Sequence, residues 1–316
     1  MSQGYGHQAY VGIGIQSAYD TAVAASVFAE IMSENMKGKR PKRPAGVLGS
    51  RSLKRLITGK AEVNGGFKFP LQWNGLEKIL KHALGAVNTT GSNPYTHTYS
   101  LAAAPISTGL TVVVNRDAAA IGTGSMFRYV GCQVSKFTLG QKVDEPLTAE
   151  VELIGRDFGN VNIQAATFPT WDPIEYGQMT VANFDHAGTP TAMKIREWQM
   201  VIDPKIEPNH VLTDYRSIGA LVQDQREVTF MFEIEFEDLT VWASFRDQTE
   251  QDYQFKWVSG TKSLQIDIPK AFITGDEPET GSPGPYFLKF TGRAEMNAAD
   301  NDELALVLIN STAGPV

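Results

Sequence analysis

Residues Arg226 to Glu237 read REVTFMFEIEFE. Val228, Phe230, Phe232, Ile234 and Phe236 are apolar, and Glu227, Thr229, Met231, Glu233, Glu235 and Glu237 alternate with them. Successive side chains on a strand point to opposite faces, so this run predicts a β-strand with one buried face and one polar face. Burying each of the five apolar side chains is worth roughly 1.5–3 kcal/mol, which turns that face inward. The glutamates on the other face repel one another if they stand exposed together. They form either an ordinary solvated surface or a wall built to keep anions away.

Working outward, further strand patterns follow on both sides. Leu110 to Asn115, Gln133 to Leu139 and Leu147 to Ile154 are short β-branched or apolar runs separated by Gly, Pro and Asp. Glu197 to Ile202, Tyr253 to Val258, Ser263 to Ile268 and Phe287 to Phe290 read the same way. Two short helices interrupt them. Leu76, Ile79, Leu80, Ala83 and Leu84 form a one-sided apolar stripe, with Asn74 as the expected cap and Gly85 as the stop. Asp238 is the expected cap of a second helix, over Leu239 to Arg246. The chain is therefore expected to be mainly β.

A shift of 165 residues lays one part of the chain on another. Glu62-Val63 falls on Glu227-Val228, and Val63, Phe67, Phe69 and Leu71 fall on Val228, Phe232, Ile234 and Phe236 without a gap. In both copies the strand runs into a short helix. A one-residue slip would turn every side chain to the wrong face, so holding phase over ten residues carries weight. Upstream, Ser33 to Lys37 sits roughly where Ile202 to Lys205 does. The reading is two related halves, residues 1–160 and 191–316, joined by a Pro/Gly/Thr-rich segment, 161–190. Amphipathic strands resemble one another, and coincidence is the alternative.

Bulk properties narrow the classes. The 316 residues are 42% hydrophobic, enough for a sizeable core. Net charge is −7, from 28 Lys and Arg against 35 Asp and Glu, which argues against general nucleic-acid binding through phosphate neutralisation. The single cysteine, Cys132, cannot form an internal disulfide and reads as a small core residue. The N-terminus has no signal-peptide pattern, and no stretch approaches the roughly 18 apolar residues of a membrane span, so a soluble protein made in a reducing cytoplasm is expected. Gly12-Ile13-Gly14 lacks the third glycine of a dinucleotide loop, with Ser17 in its place. The five histidines are scattered, so neither a metal nor a cofactor site is expected, and no acid–base pair suggests an enzyme.

Several motifs together resemble a known family. They are Tyr10-Val11-Gly12-Ile13-Gly14, Tyr19-Asp20-Thr21-Ala22, Ser50-Arg51-Ser52, and the strand and helix ending at Leu84-Gly85. His97-Thr98-Tyr99, Tyr129 to Val134 and Leu147 to Gly155 continue the series. In this order, over residues 10–155, they resemble the tail tube (major tail) proteins of long-tailed, non-contractile bacteriophages. The second half matches in pattern more than in motif.

The resemblance implies tandem tail-tube-type β-sandwich or barrel halves, each with a flanking helix, whose inner strands complete a barrel between subunits. Stacked rings would form a hollow tube that conducts double-stranded DNA out of the capsid without binding it specifically. The protein would be assembled in the bacterial cytoplasm and end in the virion tail. Expected partners are the chain itself, the tail terminator, the tail tip and the tape measure protein. Family rings typically contain six tube domains, so two per chain implies a trimer, with a hexamer of chains as the alternative. A carbohydrate-binding or adhesive β-sandwich module is the alternative function. It needs exposed aromatics at loop tips, whereas most aromatics here fall in strand patterns.

On this reading Glu227, Glu233, Glu235 and Glu237, with Glu150 and Glu152 as a second pair, are candidates to line the lumen, where acidic groups repel phosphates. Lys37, Lys39, Arg40, Lys42 and Arg43 form a basic run that Pro41 and Pro44 keep out of a helix. It reads as an extended loop, and the resemblance suggests contact with the next ring, with Asp276, Glu277 and Glu279 or Asp300, Asp302 and Glu303 as acidic counterparts. A solvated loop and a nucleic-acid arm are the alternatives. Trp73, Trp198, Trp242 and Trp257 read as core, and Trp171 as packing between the halves. The polar segments Ser2 to Gln8 and Ser311 to Val316 read as terminal arms.

Overall fold

The structure is a computed structural model that describes residues 6–19, 21–45, 55–101, 106, 108–117, 125–186, 189–210, 220–236, 240–275, 277, 286–297 and 302–314. After a short 3-10 turn at Gly6–Gln8 come β1 (Tyr10–Ile15), β2 (Val27–Glu30), β3 (Ser33–Glu34), β4 (Lys37–Lys39), β5 (Lys42–Ala45) and β6 (Arg55–Thr58). Then follow β7 (Glu62–Pro70), α1 (Glu77–Leu84), β8 (Gly85–Gly91), β9 (Tyr95–Leu101) and β10 (Leu110–Asn115). The long β11 (Ser125–Lys142) leads to β12 (Thr148–Gly155) and β13 (Asp157–Asn162). Next are β14 (Met179–His186), β15 (Thr189–Ala192), β16 (Ile195–Asp203), β17 (Ile206–Asn209), β18 (Ala220–Gln223) and β19 (Glu227–Glu235). The chain closes with α2 (Thr240–Arg246), β20 (Gln251–Ser259), β21 (Lys262–Gly275), β22 (Phe287–Ala294) and β23 (Ala305–Asn310).

The molecule is mainly β and antiparallel. One run of strands passes β3/β4–β7–β12–β11–β16–β19–β22–β21. A second layer flanks it, formed by β2–β1–β10–β11–β13 beside the first half and β15–β14–β20–β21–β23–β9–β8 beside the second. β11 and β21 each belong to both layers and bend from one into the other. The REVTFMFEIEFE segment behaves as its alternation predicts. Val228, Phe230, Phe232 and Ile234 are buried, and the residues between them from Glu227 to Glu235 are half-exposed. Between the layers lies one apolar core that includes Trp73, Trp198, Trp257, Phe137 and Phe232. Trp198 meets Phe255 at 5.2 Å and Trp257 at 5.3 Å between ring centroids. Cys132 is fully buried in this core, and burial pushes its thiol pKa up.

The ladders of the two halves keep the same register. Phe67 opposite Val151 in β7–β12 corresponds to Phe232 opposite Phe290 in β19–β22, and each pair from Asn64–Ile154 to Pro70–Thr148 has its counterpart from Thr229–Arg293 to Glu235–Phe287. Lys39 opposite Glu62 corresponds to Asp203 opposite Glu227, and Ser33 opposite Lys68 to Glu197 opposite Glu233. The upstream match is thereby corrected. Ser33 sits where Glu197 does, not near Ile202, because the shared partner strand fixes the alignment. The hairpin β5–β6 has its counterpart in β17–β18. The hairpin β8–β9 has none, and its β9 pairs with β23, tying the halves together a second time.

Local expectations are corrected in four places. Asn74 does not cap α1. The residue before the helix is Leu76, with no side-chain cap, and Asn74 Oδ1 accepts from Ser311 N at 3.2 Å and Thr312 Oγ1 at 3.3 Å, holding the C-terminal segment. Gly85 does end the helix, at φ 103°, with its N–H on the Lys81 carbonyl. The segment expected to join the halves becomes strand from Met179, where β14 pairs with β20. Trp171 is 57% exposed and so is not packed between the halves, and Trp242 is only partly buried beneath the Arg246 guanidinium and so is not core. Asp238, expected to cap α2, lies outside the described residues.

Candidate functional site: a charged sheet face and its two edges

The polar face of the eight-part sheet collects the acidic candidates of both halves. Glu227, Glu233 and Glu235 lie on β19, and Glu150 and Glu152 on β12. Glu237 lies outside the described residues. The surface is charge-compensated, because the strand registers interleave cations among the acids. Lys136 reaches Glu152 at 3.7 Å, Arg196 reaches Glu233 at 3.5 Å, and Lys205 and Arg293 reach Glu227 at 3.2 and 3.6 Å. Lys142 reaches Glu197 at 3.0 Å, and Lys68 lies directly across from Glu150. Exposed pairs of this kind contribute about 0.2–1 kcal/mol each and weaken with salt, so they set the character of the surface more than its stability. The cations sit on other strands or, for Lys205, in the turn after β16, so the glutamate run alone gave no sign of them.

The basic run divides into three environments. Lys37 and Lys39 lie exposed on β4. Arg40 turns back on its own chain, with Nη2 2.9 Å from Asp157 Oδ1 and the guanidinium 5.3 Å from the Phe158 ring centroid. Lys42 and Arg43 stand exposed on β5. The run is therefore two strands and not a loop, since proline is compatible with edge strands. Of the acidic counterparts, Glu303 is engaged by Arg226 at 3.3 Å, whereas Asp276, Glu279 and Asp300 lie outside the described residues.

The two ends of the sheet differ from its middle. In the middle, β11 pairs with β16 from Phe137–Ile202 to Lys142–Glu197. At one end β3 and β4 pair only with β7, and at the other Phe272–Gly275 of β21 pairs only with β22, among the described residues. The first edge is firmly held. Arg116 Nε and Nη2 donate to the two Glu34 carboxylate oxygens at 2.6 and 2.9 Å, and Nη2 also donates to the Met36 carbonyl at 2.8 Å. These bonds raise the Arg116 pKa. Tyr129 donates its hydroxyl to the same Met36 carbonyl at 3.0 Å. Neither edge was legible as a site, because Ser33 to Lys39 has little strand alternation.

Such an architecture is an antiparallel β protein with a charge-compensated polar face and, among the described residues, two sheet ends paired on one side only. A sequence model of the phage tail tube proteins matches residues 6–297. The chain belongs to the phage tail tube protein family, and its role is a structural one in the phage tail. The comparison with curated proteins returned no match.

Proposed function

We propose that the chain carries two tube domains side by side and self-assembles, three chains to a ring, into the stacked rings of a long, non-contractile phage tail. The observation that carries this reading is the β11–β16 ladder. It joins two four-part sheets of matching register edge to edge, within one chain. Repeating that joint between copies closes a barrel and removes the exposed edges that would otherwise invite uncontrolled pairing. The charged face then lines the bore. Its interleaved acids and cations leave no surplus of cations to gather phosphates, so duplex DNA passes during ejection without being held. The tape measure protein would occupy the bore before ejection, and terminator and tip proteins would meet the ends. Assembly takes place in the host cytoplasm. The chemistry is mechanical support and carries no enzymatic step.

Negative-stain microscopy of purified protein tests the reading. Hollow tubes or rings are expected. Dispersed monomers at high concentration would remove it.

A further inference from the structure

We propose that the bore presents its charge with threefold, not sixfold, period, and so fits an elongated partner of three identical chains lying along the axis. The proposal rests on the ring of three chains and the luminal face proposed above, and adds the order in which charges follow one another around that face. That order comes from the two halves compared at matching register. Lys68 on β7 lies directly opposite Glu150 on β12, and the matching rung is Glu233 on β19 opposite Lys289 on β22. The same cross-strand pair thus occurs twice with its polarity reversed. Lys39 opposite Glu62 matches Asp203 opposite Glu227, a second change of sign at Lys39 and Asp203. The core positions do not diverge in this way. Val63, Phe67 and Phe69 answer to Val228, Phe232 and Ile234, and all are buried.

The reversal has a geometric consequence. Along the sheet the rungs read cation on β7 and acid on β12, then, past the β11–β16 joint, acid on β19 and cation on β22. The two acids flank the joint inside the chain, and the two cations stand toward the ends of the sheet. Repeated three times around a ring, this gives three acidic sectors within chains and three basic sectors between them. Halves of like polarity would instead repeat cation and acid in one order six times. All four side chains are at least partly exposed, so they are open to a partner in the bore. A partner of three identical chains can set one pattern of acidic and basic side chains against every copy. In a sixfold partner each second chain would face the wrong signs, and like charges brought together oppose binding. Duplex DNA carries one sign throughout and gains nothing from the order.

Two measurements test the period. In intact tails that have not ejected, quantitative mass spectrometry of the protein filling the bore should give three copies per tail, and six copies or one would overturn the proposal. The other measurement uses phage carrying altered chains. Lys68→Glu with Glu150→Lys keeps the rung paired but gives it the polarity of Glu233 and Lys289, so this level of the bore becomes sixfold in sign. Lys68→Gln with Glu150→Gln empties the rung and leaves the threefold order of the second half. Purified protein of both kinds should form tubes normally. The yield of filled, full-length tails should fall roughly tenfold with the reversed rung, where attraction to the partner becomes repulsion, and stay near normal with the neutral one. Equal yields from the two variants would overturn the proposal. Should the reversed rung keep purified protein from forming tubes, the copy number decides alone. Failure of the unaltered chain to form rings, or rings of six chains, would instead remove the reading on which the proposal rests.

Discussion

Glu34 and Trp198 occupy matching register positions, opposite Phe67 and Phe232, yet they are different kinds of residue. Trp198 sits inside the internal joint and is 1% exposed, whereas Glu34 stands on an open edge and is held by Arg116. The charged pair braces the edge strand, which among the described residues pairs with β7 on one side only. His82 on α1 has a different consequence. It is 4% exposed, and its burial, aided by the charge of Lys81, lowers its pKa from 6.5 to about 4. Between those values the unfolded chain binds more protons than the folded one, so stability is full above pH 6.5 and falls as pH drops toward 4. The whole window is worth about 3 kcal/mol. In denaturant melts across this range, His82→Leu should show a shallower acid loss than the unaltered chain; equal slopes would remove His82 from the account.

At the scale of elements, the hairpin β5–β6 separates two arginines that look equivalent in sequence. Arg40 is committed to Asp157 and Phe158, while Arg43 stands exposed on β5. If the hairpin meets the next ring, Arg43→Glu should shorten the tubes without altering monomer stability. Arg40→Glu should shift the melting transition as well, because it faces Asp157 with like charge. Tube lengths read from micrographs, set beside thermal melts of unassembled protein, separate the two effects, and unchanged length and yield for Arg43→Glu would rule out the contact. The hairpin β8–β9 acts inward instead. It places β9 on β23, and the buried Asn310 at the end of β23 donates to the Trp73 carbonyl at 2.8 Å and to Glu77 Oε1 at 2.6 Å. These bonds fasten the last strand to the start of α1. The second half has no such insertion, since α2 leads to β20 after four residues. The joint inside a chain is therefore secured in both layers.

At the scale of the whole molecule, the proposed ring of six tube domains, with two matching ladders in each chain, sets the expected stoichiometry. Six equivalent sheets in a ring require three chains of 34.6 kDa, and native mass measurement of an isolated ring should report that multiple. A ring of six chains would show that each chain contributes one working domain.

The sequence by itself determined the mainly β class, the buried face of β19, the position and stop of α1, and the phase shared by β7 and β19. All of these are local consequences of side-chain alternation and helical spacing, which a chain records along its own length. The phage tail tube family was also legible, in the ordered motifs between Tyr10 and Gly155. Only the tertiary structure decided which strands are neighbours. It showed cations set among the glutamates, Arg40 spent on Asp157, Trp171 left exposed, and Ser33 to Lys39 made an edge in step with Glu197 to Asp203. Pairing between strands far apart in sequence depends on backbone hydrogen bonds common to every residue, so side-chain pattern alone does not encode it.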